Sequence, residues 1–570
     1  MIRSLTKKSW LALSIAVILA LVLSACGGGD EEEAPAPTAA PTARPTAAPT
    51  AAPTATPVPP TPTPVQPKRG GILNARLTNS FPSWDTYDTR GGFSFIHVAN
   101  MVNSLIHLDL KDVGKIVPDL AESFAVSQDG KTYTFRVRQG VQWHDGQPFT
   151  SADVLYNLTS AWKPEAPRVF NAQFTRRITG ITAPDAATVQ VTVDRASASF
   201  LPGLATPHML MYPAHLKDMA AWQKAPIGTG PFKFKSFRTD VLLEYQRNEG
   251  YFKKDEQGRA LPFLDGILYN VMNQEVALAA FRSGRIDCGC AFDTDFQTQH
   301  RAALKRELPD VQFVEFWSHA YLYFKQEAPW TDQRVRQAIS VGLDRRTFAA
   351  ALQDGFTHFP GAPFFGPEVG GQWGLSRDEM LQIPGWREDR NADSALSRQL
   401  FAQAGVDPKT LTPIYLGPTQ FGPDMTIIDS LLRSMGMTPK LDISPSVADI
   451  TPKRQQGQYA ISHETPSAAF DDPIHYGARY VITNDPGNYA KWSDPQIDKL
   501  FADIDTELDP VKRKGIAKDL QRKLIDWAVI ITIPHTGRAQ GPRGYVKGYA
   551  HVSPVSVDVS GRLERVWLDR

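Results

Sequence analysis

"PDLAESFAVSQDGKTYTFRVRQGVQWHDGQPFTSADVLYNL", residues 118 to 158, carries the periodicities of two kinds of element in one run. Tyr133, Phe135 and Val137 alternate with Thr134 and Arg136, the two-residue repeat of a strand with one buried face. Asp145 and Gly146 then form a turn signal, which gives the neighbouring His144 a structural reading and not a catalytic one. Thr150 or Ser151 offers a helix cap with Asp153 in the first turn, and Val154, Leu155 and Leu158 follow at helical spacing. Strand, turn and helix in succession predict a mixed α/β chain.

The same grammar extends outward. In "ATVQVTVD" (187 to 194) Val189, Val191 and Val193 alternate as in a second half-buried strand. In "SDPQIDKLFADIDTELDPVKRKGIAKDLQRKLIDWAVIITI" (493 to 533), Ile497, Leu500, Phe501 and Ile504 make one apolar stripe. Ile516, Leu520, Leu524 and Trp527 make another, so two amphipathic helices lead into an apolar strand. No fixed-period repeat is present, which argues against solenoids and propellers.

Composition narrows the function. The chain has 570 residues, 42% hydrophobic and 21% charged, with a net charge of +1. That balance leaves no electrostatic footprint for nucleic acid or acidic lipid. "GTGPFKF" (228 to 234) lacks the Gly-Lys-Ser/Thr of a phosphate-binding loop and reads as a turn entering a strand. The twelve histidines form no His-Glu-x-x-His, and no serine sits in a Gly-x-Ser-x-Gly elbow, which removes the usual grounds for proposing an enzyme; neither catalysis nor a cofactor is expected. In "RIDCGCAF" (285 to 292), a disulfide between Cys288 and Cys290, one residue apart, would be strained, and both read as buried free thiols. Asp287 and Asp293 lie near them with no close histidine, which gives no metal site.

The first 68 residues differ in kind. Arg3, Lys7 and Lys8 precede an apolar run from Trp10 to Ala25, shorter than the ~20 residues that span a bilayer, which reads as a signal peptide over 1–25. Leu23, Ser24, Ala25 and Cys26 resemble the lipobox of bacterial lipoproteins, which implies lipidation of Cys26. Residues 26–68 then form an Ala-, Pro- and Thr-rich linker with an acidic cluster from Asp30 to Glu33 and nothing to build a core. At ~3 Å per residue such a linker holds a domain several tens of ångströms from a membrane.

Several blocks together carry a further resemblance. Residues 118 to 158, "APIGTGPFKFKSF" (225 to 237), "LEYQRNEGYF" (243 to 252), "LPFLDGILYNVMNQEVALAAFRSGRID" (261 to 287), "APWTDQRVRQAISVGLDRR" (328 to 346) and "RKLIDWAVIITIPHT" (522 to 536) are similar, in order, to the extracytoplasmic solute-binding proteins of family 5. The resemblance implies an α/β, two-lobed periplasmic-binding-protein-like fold of the large type II, cluster C kind, with an interlobe ligand cleft and a two-crossover hinge. Lobe I is expected at 69–290 and 535–570 and lobe II at 291–534, with crossovers near "RIDCGC" and "TIPHTGR". Candidates to line the cleft are Phe93, Phe95, Trp317, Tyr321, Phe470, Asp471 and His475.

Function by resemblance is capture of a small solute or oligopeptide for an ABC permease and its ATPase. The receptor is expected to be monomeric, lipid-anchored and extracytoplasmic. A sensor or chaperone on the same scaffold, or a surface hydrolase, are the alternatives. One departure stands out. Peptide-binding members carry an aspartate three residues before an acid-Pro pair, where it meets the peptide ammonium; if Asp472 and Pro473 are that pair, the position here is Ala469. A buried ammonium without a partner carboxylate costs several kcal/mol, so either Asp471 substitutes or the ligand is another amphiphilic solute, such as an oligosaccharide or opine-like compound.

Overall fold

Alternation becomes sheet where the sequence shows it. Thr132–Val137 and Thr188–Val193 are antiparallel neighbours in a four-stranded sheet completed by Ala121–Val126 and Ile178–Asp185. Tyr133, Phe135, Val137, Val189, Val191 and Val193 are all buried in one core. The helix Ser151–Trp162 packs on this sheet through Val154 and Leu158. The structure, a computed structural model, describes residues 66–77, 84–86, 97–109, 114–162, 177–217, 219–289, 298–318, 320–352, 357–358, 361–445, 447–465, 471–476, 478–485, 487–549 and 562–570. Cys26, Phe93, Phe95, Ala469, Phe470 and Cys290 lie outside those residues, as do the signal peptide and nearly all of the linker.

A second, larger sheet runs in the order Val314–Ser318, His535–Pro542, Cys288–Gly289, Ile72–Leu77, Gly266–Val271, Leu242–Arg247, Phe232–Arg238, with Thr357–His358 also pairing His535–Pro542. Ile72–Leu77 pairs in parallel with both of its neighbours and the other pairs are antiparallel. A third sheet has the order Lys440–Ser444, Ile414–Pro418, Ile461–Glu464, Tyr321–Phe324, Ile530–Thr532. Helices Pro495–Thr506 and Pro510–Trp527 pack beside it and bury Ile497, Phe501, Ile504, Leu520, Leu524 and Trp527, the stripes expected from the sequence. Each begins with Asp-Pro: Asp494 and Asp509 accept from the first backbone N–H groups, and proline fills the first helical position.

Two main cores follow from these sheets. One gathers buried residues from 73 to 288 and from 546 to 568, and the other gathers residues from 317 to 533. The chain crosses from the larger sheet to the third sheet between Ser318 and Tyr321 and returns between Thr532 and His535. Thr298–Glu307 also lies against the first half, where Leu304 packs with Phe281 and Arg282 pairs with Glu307 at 2.5 Å, so the outward crossing comes after this helix. Local sequence does not mark that point, because Val314–Ser318 gains its partner, His535–Pro542, from more than 200 residues away.

Cys288 corrects another expectation. It is fully buried, but it is disulfide-bonded and not a free thiol, with its partner outside the described residues. Strain between cysteines one residue apart weakens a disulfide without forbidding the bond.

The two turn motifs lock together. Gly146 takes φ +90° in the "WHDG" turn. His144 Nδ1 accepts from Gly228 N–H at 3.1 Å, and its Nε2 donates to the Gly230 carbonyl at 3.0 Å. A Cβ on Gly228 would stand 2.0 Å from the Met101 carbonyl oxygen, so only glycine permits this approach. Burial lowers the His144 pKa to about 4, and the neutral ring this favours serves as donor on one side and acceptor on the other.

Candidate functional site

Asp471 follows the third-sheet strand Ile461–Glu464 and opens a turn that Asp472 organises, with Asp472 Oδ1 accepting Ile474 N–H at 2.9 Å and its carbonyl accepting His475 N–H at 2.9 Å. The turn is anchored from below. Tyr321, fully buried on the third sheet, donates its hydroxyl to the carbonyls of Tyr476 and Pro363, and the rings of Phe364 and Phe365 pack on Tyr476 at 5.5 and 5.3 Å. Its hydroxyl therefore supports the turn that presents Asp471.

Three neighbours fix Asp471, two of them through its carboxyl. Oδ2 accepts the Gln372 N–H at 2.7 Å, Oδ1 accepts the Tyr476 hydroxyl, and the Asp471 carbonyl accepts Trp373 Nε1–H at 2.8 Å. Protein surrounds the carboxyl on nearly every side, although the residue as a whole is only half-buried. Desolvation is the largest influence on it and raises its pKa to about 7; Tyr476 and Gln372 N–H pull the other way, Asp472 adds to the rise and Lys514 opposes it. Each carboxyl oxygen has a second lone pair beyond the bond it already accepts, so the group can receive a further donor from a ligand.

The surrounding seam joins the two halves. Gln372 belongs to the second half, and its side-chain amide reaches Gly114 of the first, where a Cβ would lie 3.2 Å from Nε2. Arg513 pairs with Asp472 at 2.7 Å, lies 4.6 Å above the Trp373 ring, and donates to Ser199 of the first half at 3.1 Å. Ser199 in turn donates to Asp472 at 3.3 Å. A second set lies alongside: Ser197 donates to Asp505 at 2.7 Å, Ala198 N–H donates to the Asp505 carbonyl at 2.7 Å, and Arg177 pairs with the Asp505 carboxylate. His475 is buried close to His208 of the first half. Desolvation lowers both pKa values to about 3, and for His208 the neighbouring His475 adds to the fall.

Of the residues expected from sequence, Tyr321, Asp471 and His475 are thus brought to one place. Trp317 stands on the strand before the outward crossing, nearly buried in the second core, and makes no described hydrogen bond to the Asp471 group. Phe93, Phe95 and Phe470 fall outside the described residues. Sequence reasoning missed Gln372, Trp373, Tyr476, Arg513 and Ser199. Tyr476 was one step beyond His475 in the same segment, and "GGQWG" (370 to 374) had the loop composition of a binding segment. Among the described residues there is no cluster of His, Cys, Asp or Glu able to hold a metal, and no helix is long and apolar enough to cross a membrane.

The profile of the bacterial extracellular solute-binding proteins, family 5, matches residues 115–488. Di/tripeptide-binding protein 1 of Pseudomonas aeruginosa is 25% identical over 482 residues, covering 78% of this chain and 85% of its own. Among solved structures, the periplasmic binding protein DppA of Helicobacter pylori, in complex with the peptide STSA, aligns with a TM-score of 0.74 at 19% identity over 88% of this chain and 99% of that one. AgaA of A. tumefaciens R10, in complex with agropinic acid, aligns with a TM-score of 0.73 at 23% identity and the same coverage. The two halves described above are the lobes of this periplasmic-binding-protein fold.

Proposed function

The chain belongs to the bacterial extracellular solute-binding proteins of family 5, and from that premise we propose that it is the receptor of an ABC importer, closing its lobes over a peptide-like solute and delivering it to a permease. The observation that carries this reading is the Asp471 carboxyl, set where the lobes meet with lone pairs open to a donor and a pKa near neutrality. A ligand ammonium would complete the pairing that Ala469 lacks, and the energy of forming that ion pair offsets the cost of ionising a desolvated acid. The di/tripeptide relative supports a peptide as the ligand class.

In this proposal lobe I comprises about 69–290 and 535–570 and lobe II about 291–534, with the segment up to Ser318 moving with lobe I because its strand lies in the lobe I sheet. Cys26 carries the lipid, residues 26–68 form the spacer, and the receptor works as a monomer outside the cytoplasm. Its partners are the permease and that permease's ATPase; it performs no chemistry on the ligand.

Calorimetric titration with tripeptides and their N-acetyl forms tests the reading. Free tripeptides should bind, and acetylation or Asp471→Asn should each weaken binding at least about a hundredfold, the loss expected when one member of a buried charge pair is removed. Binding unaffected by both changes would show that Asp471 meets no ammonium. No peptide binding, with thermal stabilisation by a sugar or opine-like acid, would replace the peptide reading with a non-peptide importer.

A further inference from the structure

Lobe II contains a cavity separate from the seam. It has a volume of about 510 Å³ and lies between helix Arg390–Gln403, the end of helix Gln333–Gly342 and the end of helix Gly422–Ser434. That is within the usual size range of small-ligand sites. None of the residues around Asp471 lines it.

Its walls differ in chemistry. Phe401, Val406 and Met435 supply an apolar side. Asn391, Ser394 and Arg398 recur at i, i+3 and i+7 along the helix face that ends in Phe401, and none of the three side chains takes part in a described hydrogen bond or ion pair. Arg390 adds a fourth polar group. Its terminal nitrogens donate to the Gly342 carbonyl at 3.0 Å and to Asp393 at 3.2 Å, but its buried Nε makes no hydrogen bond and is 3.8 Å from Asp344. Asp344 is the single acid of the lining, and it is already engaged: it accepts from Arg346 N–H, Thr347 N–H and the Thr347 hydroxyl as the cap of the next helix. The lining thus offers two cationic guanidiniums beside one acid that is already engaged, and the buried Arg390 Nε is the donor that an anionic acceptor would relieve.

We propose that this cavity binds a small carboxylate with an apolar tail, its head held by Arg398, Ser394 and Arg390 and its tail laid on Phe401, Val406 and Met435. The site is independent of the cleft reading, because it uses no residue of the seam.

Octanoate is the probe, titrated into the full chain by calorimetry and followed by thermal denaturation. Octanoate should bind at one site and raise the melting temperature. Octanamide, which keeps the tail and loses the charge, should bind at least about tenfold more weakly, as expected for a lost charge-assisted hydrogen bond. Arg398→Ala should show the same loss and, being an exposed position, leave the fold intact. Ser394→Phe should abolish binding by filling the cavity, while Asp471→Asn should leave it unchanged. The proposal is overturned if octanoate gives neither heat nor thermal shift, if Arg398→Ala binds as wild type, or if Asp471→Asn abolishes binding, which would place octanoate in the cleft.

Discussion

Replacing Asp471 with asparagine should make the ligand-free protein more stable, by an amount that grows from about pH 4 and levels off above about pH 7. In the unfolded chain this carboxyl titrates at its ordinary 3.8, and in the folded chain near 7. Between those values the folded state holds a proton the unfolded state has lost, so stability falls as pH rises through the window. The full cost is reached above about pH 7. A difference of about three pKa units corresponds to at most about 4 kcal/mol. With unfolding entropy of roughly 2 cal/mol/K per residue over roughly 500 residues, this is about 4 °C in melting temperature. Asparagine is neutral at every pH, so it escapes the cost. Any constant offset from exchanging an acceptor oxygen for an amide cancels in the comparison. Thermal denaturation of both proteins from about pH 5 to about pH 8 is the assay. The melting temperature of the variant relative to wild type should climb by roughly 3 °C across that range, the part of the cost that accrues above pH 5. A flat difference, or one that shrinks as pH rises, would refute the claim that burial of this carboxyl dominates its titration.

Other perturbations follow from the same contacts. Gly228→Ala places a methyl against the Met101 carbonyl and should cost about 3 kcal/mol by urea denaturation, whereas Gly258→Ala, with open space at its Cβ, should lose only the small penalty of its φ of +79°. Asp119 is fully buried between Arg562 at 2.6 Å and Lys253 at 2.7 Å, so Asp119→Asn leaves two cations poorly compensated and should destabilise by roughly 3–5 kcal/mol in the same assay. His97, His208 and His475 have pKa values lowered by burial to about 3, so the unfolded state binds their protons first as pH falls below 6.5. Each should remove about 2 kcal/mol between about pH 7 and about pH 5, and His97→Gln should flatten that slope by one histidine's share. A slope unchanged by the substitution would mean that His97 titrates alike in both states.

What the sequence disclosed was whatever repeats locally. The alternation of Tyr133, Phe135 and Val137 and the stripe from Ile497 to Ile504 were sufficient because burial on one face leaves a period in the chain. "WHDG" and "GTGPF" were legible as turns, but not as each other's partners, since a hydrogen bond between His144 and Gly228 has no local period. The same reason hid the seam. Asp471 and His475 stood out as polar residues beside an aromatic and a proline, whereas Arg513 and Ser199 acquire meaning only when segments 314 residues apart meet. Cys288 was misjudged because only the strain of a bridge to its neighbour was weighed.

The pair of crossings has a mechanical consequence. Ser318 is in register with Thr536 and Tyr321 with Thr532, so two residues on one strand and three on the other lie between the last rung of one ladder and the first rung of the next. Within that gap the Ile533 N–H to Ala320 carbonyl bond, at 3.2 Å, keeps the strands together. Two ribbons joined side by side, unequal in length by one residue, behave as a leaf spring. They flex readily about the axis lying in their common plane and resist shear, which would have to break the rungs on either side. Closure about this pair of strands would then follow one rotational coordinate, and a ligand would need only to bias that single angle.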